Sequence, residues 1–251
     1  MNKVAQAFSA AAAHYDAHAQ QQRTVLEAAV QQAMPYVGVR AAILDAGCGT
    51  GYLQQYCDKR ALAWDIDGID IAPAMCAQSG AVVGDMCALP FAEDAYDVWF
   101  SSLALQWVDA PAEAFCEAAR VVKAGGYMVF TCYVEGTLQE LQTAFRNVDE
   151  SRHVLAFHRS ADLLAQVRKA GFDIVETQCR MQPVYYPTVA ALLANIKGVG
   201  ASAGLRRTKR SLMTPRQYAV FEAAYEQSYL DGRGVRASWN TLSCIARKGA
   251  G

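Results

Sequence analysis

The chain has 251 residues, with 23 Lys and Arg against 24 Asp and Glu, a formal net charge of −1, and 53% hydrophobic residues. That length suits one large domain with ample core, the near-neutral charge argues against a general nucleic-acid binder, and no uncharged apolar run reaches the ~18 residues of a membrane span. The eight cysteines form no Cys-x-x-Cys pair and His14, His18, His153 and His158 have no metal-ligand spacing, so reduced thiols, a cytoplasmic location and no metal are expected.

The first predicted element is a helical stretch over residues 4–33, in which Phe8, Ala11, Tyr15, His18 and Gln22 recur on one face. Lys3, Gln6 and Ser9 interrupt Met1–Ala13, which does not suit a signal peptide. A buried strand at 39–46 then runs into Asp45-Ala46-Gly47-Cys48-Gly49-Thr50-Gly51 and a helix over 51–59. A strand that breaks into glycines before a helix lets a ligand lie against bare backbone. Dinucleotide folds use G-x-G-x-x-G, whose third glycine allows close helix packing. Here the register is G-x-G-x-G, and Tyr52 stands in that place. The D-x-G-x-G-x-G pattern is similar to the loop of class I methyltransferases, which bind S-adenosylmethionine, and Asp45 suits the ammonium of that ligand's amino-acid end.

Asp70, with Ile71 beside it, closes the next strand at 64–71, where a carboxylate can accept both ribose hydroxyls. Asp85 and Met86 follow a strand at 81–84 and resemble the adenine-binding turn of the same superfamily. Each acid alone would serve equally as an N-cap or Asx turn; three at successive strand ends point to the cofactor. A strand at 96–102 leads into Ser101-Ser102-Leu103-Ala104-Leu105-Gln106-Trp107. Ser101 and Leu103 are expected against the cofactor, and Gln106 and Trp107 in the methyl-transfer chamber, with simple core packing as the alternative.

Further helices are predicted at 73–79, 111–123, 138–150 and 160–170, and strands at 126–134 and 173–180. Thr137 and Glu140 have capping-box spacing, and Gly171 stops a helix. This alternation predicts an α/β fold, a doubly wound and mostly parallel sheet with ligands at the carboxyl ends of its strands. Residues 187–230 add two helices, the second opening with the capping box Thr214-Pro215-Arg216-Gln217, before a last strand at Val235–Lys248. One domain is expected over 1–251, with 1–35 and 181–232 packing together as a helical lid. Tyr15 and His18 would close the site from above, their rings attracting a sulfonium by roughly 0.5–2 kcal/mol. Gln22 and Arg23 would reach the cofactor's carboxylate.

Gly200-Ala201-Ser202-Ala203-Gly204 matches the G-x-S-x-G elbow of serine hydrolases, but that motif needs a preceding strand and a later histidine. Here a helix-like segment precedes it and no histidine follows His158, so a turn is expected. Arg206, Arg207, Lys209 and Arg210 form a dense basic run, either a solvated loop or a docking patch for an acidic partner.

Together, Phe8–Ala19 with its Tyr15-x-x-His18 core, Leu44–Gly51, Ser101–Trp107 and Ile196-Lys197-Gly198-Val199-Gly200-Ala201 resemble the malonyl-acyl-carrier-protein O-methyltransferases of biotin synthesis nearly end to end. Ser102 departs from the related pattern, which has Asn. The resemblance implies a Rossmann-like sheet whose final strand is inserted antiparallel. It also implies methyl transfer from S-adenosylmethionine, leaving S-adenosylhomocysteine, to the free carboxylate of a malonyl thioester on acyl carrier protein or coenzyme A. Under it, Lys197 is expected to orient the carboxylate, the basic run to meet the carrier, and the enzyme to act as a monomer. Two alternatives stay open: a methyltransferase for a free small acid or quinone precursor, and a non-catalytic S-adenosylmethionine-binding regulator.

Overall fold

The computed structural model describes residues 3–148, 154–201 and 214–249. Its centre is a sheet built from β1 (Ala42–Ala46), β2 (Asp65–Asp70), β3 (Val82–Val83), β4 (Tyr96–Ser102), β5 (Val122–Tyr133), β6 (Phe172–Tyr186) and β8 (Gly234–Lys248), with the short β7 (Leu230–Asp231) pairing β8. The order is β3-β2-β1-β4-β5-β8-β6. Pairings among β1 to β5 are parallel, and β8 lies antiparallel to both β5 and β6. The last strand is thus inserted between its neighbours, as the resemblance implied.

Parallel strands need both faces covered, and β4 shows how the sequence supplies this. Val98 and Phe100 point into one buried cluster, with Leu26, Val30 and Leu53 from α3 (Gln20–Ala33) and α4 (Tyr52–Lys59). Trp99 points the other way, into a cluster with Phe115 of α6 (Pro111–Val121) and Leu163 of α8 (Ser160–Lys169). A third cluster joins α7 (Gln139–Phe145), α9 (Val189–Gly198) and α10 (Pro215–Tyr229) above the carboxyl end of β5. The capping box at Thr214 forms as its spacing predicts.

Three local expectations fail for physical reasons. The continuous helix over 4–33 is broken into α1 (Lys3–Ala11), α2 (Tyr15–His18) and α3. No proline or glycine breaks it. Instead the Ala12 carbonyl accepts from Gln78 Nε2 at 3.0 Å, and Ala12 is buried against Ala72 and Met75 of the β2–α5 region, α5 being Pro73–Ser79. Tertiary packing overrides helical propensity there. Thr137 and Glu140 form no capping box: α7 starts later, behind Leu138 at φ +54. Thr137 Oγ1 donates to the Asn240 carbonyl, while fully buried Glu140 accepts from Ser238 N and Oγ and pairs with Arg236 at 3.3 Å. Both side chains staple α7 to β8. Finally, β6 continues beyond 180 to Tyr186, pairing with β8 as far as Val235, so the 181–232 segment opens with a β-ribbon before its helices.

Candidate active site

The site lies at the carboxyl ends of the parallel strands, where βα turns of such sheets leave a crevice. The β1–α4 turn places Gly47, Gly49 and Gly51 at φ +81, +55 and +79, a region glycine enters without steric cost. A Cβ on Gly47 would stand 2.4 Å from the Ala104 Cβ, so bare backbone is required where this turn meets the β4 loop. Asp70, at the end of β2, accepts from Gly49 N at 2.9 Å and from Ala72 N at 2.8 Å. Each of its oxygens spends one lone pair on the loop and retains another.

Three adjoining hollows share Tyr15 in their walls. A cleft of roughly 1110 Å³ is bounded by Gly47, Gly49, Asp70, Ile71, Asp85, Met86, Leu103 and Trp107. A polar branch runs beneath α2 past Asp16, Gln22, Arg23, Asp45, Thr50 and Ser102. An apolar chamber of roughly 560 Å³ is walled by Leu103, Gln106, Trp107, Tyr133, Leu138, Phe157, Ile196, Val199 and Trp239. Tyr15 borders all three hollows, Gln22 borders branch and chamber, and Phe8 and Trp107 border cleft and chamber with their rings edge to face at 5.3 Å.

The polar branch holds opposite charges. Asp45 is 3% exposed, and burial, reinforced by the Asp70 charge, raises its pKa to about 8. Arg23 lies over the Tyr52 ring at 4.9 Å and pairs with Asp16 at 3.2 Å, while its buried Nε finds no hydrogen-bond partner among the described residues. A carboxyl and a guanidinium in one crevice complement the two charges of an amino acid. Burial raises the Asp70 pKa too, opposed by the backbone N–H groups it accepts from. Burial likewise keeps the Tyr15 phenol protonated, with Asp70 and Asp16 adding to the effect.

Of the residues singled out from sequence, Tyr15, Gln22, Arg23, Asp45, Gly47, Gly49, Asp70, Ile71, Asp85, Met86, Leu103, Gln106 and Trp107 border these hollows. Asp85 also closes an Asx turn onto Cys87 N at 2.9 Å. Gln106 has spent its Nε2 on the Leu103 carbonyl, which supports Leu103 at φ +53.

Four expected residues stand elsewhere. Ser101 is fully buried and donates to the Ala46 carbonyl at 2.7 Å, tying β4 to β1, and borders none of the three hollows. Gly51 caps α4, a Cβ there would lie 2.9 Å from the Ser79 Cβ, and it borders none of the three hollows. The ring of His18 packs on Gly198, where a Cβ would stand 2.5 Å from Cδ2, and its carbonyl accepts from Asn195 Nδ2 at 3.3 Å. His18 therefore joins α2 to α9 and borders none of the three hollows. Lys197 is exposed, because the register of α9 turns Ile196 and Val199 inward and Lys197 away. Ser202, Arg206, Arg207, Lys209 and Arg210 lie outside the described residues.

Sequence reasoning missed Tyr133, Leu138, Phe157 and Trp239 in the chamber and Asp16 and Thr50 in the branch. Only Tyr133 carried a signal: it ends a predicted parallel strand, where ligands gather.

Residues 44–130 match a family model described as a methyltransferase domain. The chain is 34% identical to the malonyl-acyl-carrier-protein O-methyltransferase of Herminiimonas arsenicoxydans, covering 90% of this chain and 87% of the relative. It is 35% identical to the protein of that name from Serratia marcescens, covering 88% and 87%. It is 31% identical to the biotin biosynthesis bifunctional protein BioHC of Teredinibacter turnerae, aligning over 98% of this chain but spanning only 46% of that longer protein. Among solved structures, the YcgJ protein of Bacillus subtilis superposes with a TM-score of 0.61 at 15% identity, covering 91% of this chain and 99% of that one. Geranyl diphosphate C-methyltransferase of Streptomyces coelicolor, solved with S-adenosyl-L-homocysteine, gives a TM-score of 0.51 at 16% identity, covering 88% and 79%. These two likenesses concern the fold alone.

Proposed function

The chain belongs to the malonyl-acyl-carrier-protein O-methyltransferase family, and from that premise we propose that it methylates the free carboxylate of a malonyl thioester on acyl carrier protein, a step toward the biotin precursor. The observation that carries this reading is the meeting of a polar, acid-rimmed cleft with an apolar chamber along a wall shared by Phe8, Tyr15, Leu103 and Trp107. When bound, S-adenosylmethionine supplies an electrophilic methyl group on a sulfonium centre. Asp70 would accept the ribose hydroxyls and Ile71, Asp85 and Met86 would border the adenine. Asp45 would meet the ammonium, with Gln22 and Arg23 at the carboxylate. Tyr15, Phe8 and Trp107 would flank the sulfonium and shut out water. We propose α1 to α3 and the segment over 181–232 as the lid that does this, joined where His18 meets Gly198.

The acceptor needs no general base, because a carboxyl with a pKa near 4 is ionised at pH 7. The protein's task is to hold an oxygen ~3–3.5 Å from the methyl carbon in a largely apolar chamber. An ester also hides the charge. A free carboxylate buried unpaired in the apolar sites of chain elongation would cost several kcal/mol.

Purified protein incubated with methyl-labelled S-adenosylmethionine and malonyl-acyl carrier protein should yield a base-labile methyl ester on the carrier. A folded, cofactor-binding preparation that leaves the carrier unlabelled contradicts the proposal. Faster labelling of free acids would favour a small-acid enzyme, and binding without turnover a regulator.

Two further outcomes are expected. Asp45 must give up a proton to pair with an ammonium, since its carboxyl is held at about 8. Binding S-adenosylmethionine at pH 7 should therefore release close to one proton, seen calorimetrically as a buffer-dependent enthalpy, and Asp45→Asn should abolish the release. The sign carries over to stability. Between about pH 4, where an unfolded carboxyl ionises, and about 8, the folded chain holds a proton the unfolded chain has lost. The Asp45 contribution to stability is complete below that window and lost as pH rises through it. A buffer-independent enthalpy would reject this. Second, replacing Arg206, Arg207, Lys209 and Arg210 by Ala should slow methylation of the carrier-bound substrate several-fold while sparing malonyl-coenzyme A, because rim charges act mainly on encounter rate. Equal loss on both substrates would mean that these residues do not dock the carrier.

A further inference from the structure

The chamber that would take the acid contains a buried hydrogen-bond donor left over among the described residues. Tyr133 ends β5 and is 4% exposed, and its hydroxyl finds no partner among the described residues. Buried hydroxyls are nearly always paired, so a native chain that keeps one orphaned inside a cavity is a candidate for a ligand contact. The ring cannot swing away freely: it packs on Trp239 with centroids 4.8 Å apart. No charged side chain borders the chamber among the described residues, and the titratable neighbours that bear on Tyr133 are the phenols Tyr15 and Tyr186. Burial holds its own phenol well above the ordinary value, so it remains a donor.

Of the other orphaned polar atoms on this wall among the described residues, two are acceptors, Gln22 Oε1 and Gln106 Oε1. The one donor is an indole N–H, Trp239 Nε1, turned to the neighbouring Tyr186 hydroxyl without a hydrogen bond of regular geometry. A carboxylate pushed into an apolar chamber that offers no cation needs at least one donor to offset lost hydration. Resting on the malonyl-thioester reading, we propose that the Tyr133 hydroxyl binds the substrate, donating a hydrogen bond to the malonyl carboxylate and thereby selecting an acidic acyl group over a neutral one. The bond falls on the oxygen that does not attack, because a donor on the attacking oxygen would draw charge from the nucleophile.

Tyr133→Phe removes the hydroxyl and keeps the ring on Trp239, so it separates the two roles. Binding of malonyl-loaded and acetyl-loaded acyl carrier protein would be measured to the wild-type protein and to the variant, each saturated with S-adenosylhomocysteine. Wild type should prefer the malonyl carrier. The variant should lose about tenfold or more of that preference, with acetyl-carrier affinity, S-adenosylhomocysteine affinity and melting temperature unchanged. In turnover, KM for the malonyl carrier should rise. A folded variant that keeps the full malonyl preference overturns the assignment to Tyr133 while leaving the reaction intact. A wild-type protein with no malonyl preference overturns the malonyl-thioester reading itself, and this proposal with it.

Discussion

Asp70→Ala is expected to weaken S-adenosylmethionine binding at least tenfold by calorimetry, and more where the loop also loosens. The carboxylate of Asp70 already accepts from Gly49 N and Ala72 N, so it shapes the glycine turn before any ribose arrives. Hydrogen bonds to a charged partner contribute about 1.5–3 kcal/mol each, and the alanine variant loses those to the ligand together with the two that order the turn. Asp70→Asn keeps one oxygen and the side chain's volume, and should fall between wild type and Ala. Burial adds a second consequence, since removing the Asp70 charge lets Asp45 ionise more readily. The loss of ribose contacts should dominate, because the Asp70 contribution to the Asp45 shift is smaller than that of burial. Unchanged affinity in Asp70→Ala would place the ribose elsewhere.

Gly47→Ala should be more damaging still. The new Cβ would stand 2.4 Å from the Ala104 Cβ and 3.2 Å from the Met86 Cε, at φ +81. Left-handed backbone costs a non-glycine residue about 1–2 kcal/mol, and overpacking typically adds 1–3 kcal/mol. Met86 is flexible and can yield. Ala104 cannot yield cheaply, because it adjoins Leu103, itself held at φ +53 by hydrogen bonds from its N–H to the carbonyl and hydroxyl of Thr131. Cofactor affinity should drop about a hundredfold, and adding Ala104→Gly should recover part of it by removing the clash but not the backbone strain. Wild-type affinity in the single variant, measured on folded protein, would mean that the turn and the β4 loop are not packed as described.

What was legible in the sequence was mainly local. The glycine turn, Asp70 and Asp85 could be placed because a strand, a turn and a helix follow one another within a few residues, and the parallel fold then sends every strand end to one edge. Residues whose role depends on long-range register were not legible. Lys197 and Ile196 are neighbours in sequence, yet one faces solvent and the other the chamber, and the pattern of α9 alone does not choose between them. The break in the N-terminal helix has its cause in Gln78 and Ala72, far along the chain. That break sends Tyr15 and Gln22 to the site while His18 goes to Gly198. The spacing of Glu140 from Thr137 suits a capping box, but its partners, Ser238 and Arg236, lie on the last strand.

A crystal structure of the protein with S-adenosylhomocysteine and a malonyl thioester bound together tests the account most directly. The adenosyl group should lie over Gly47 and Gly49 with its ribose on Asp70, and the malonyl carboxylate should sit in the apolar chamber, on the far side of Tyr15. An acyl group outside that chamber, or a nucleoside bound away from the three acids, would contradict it.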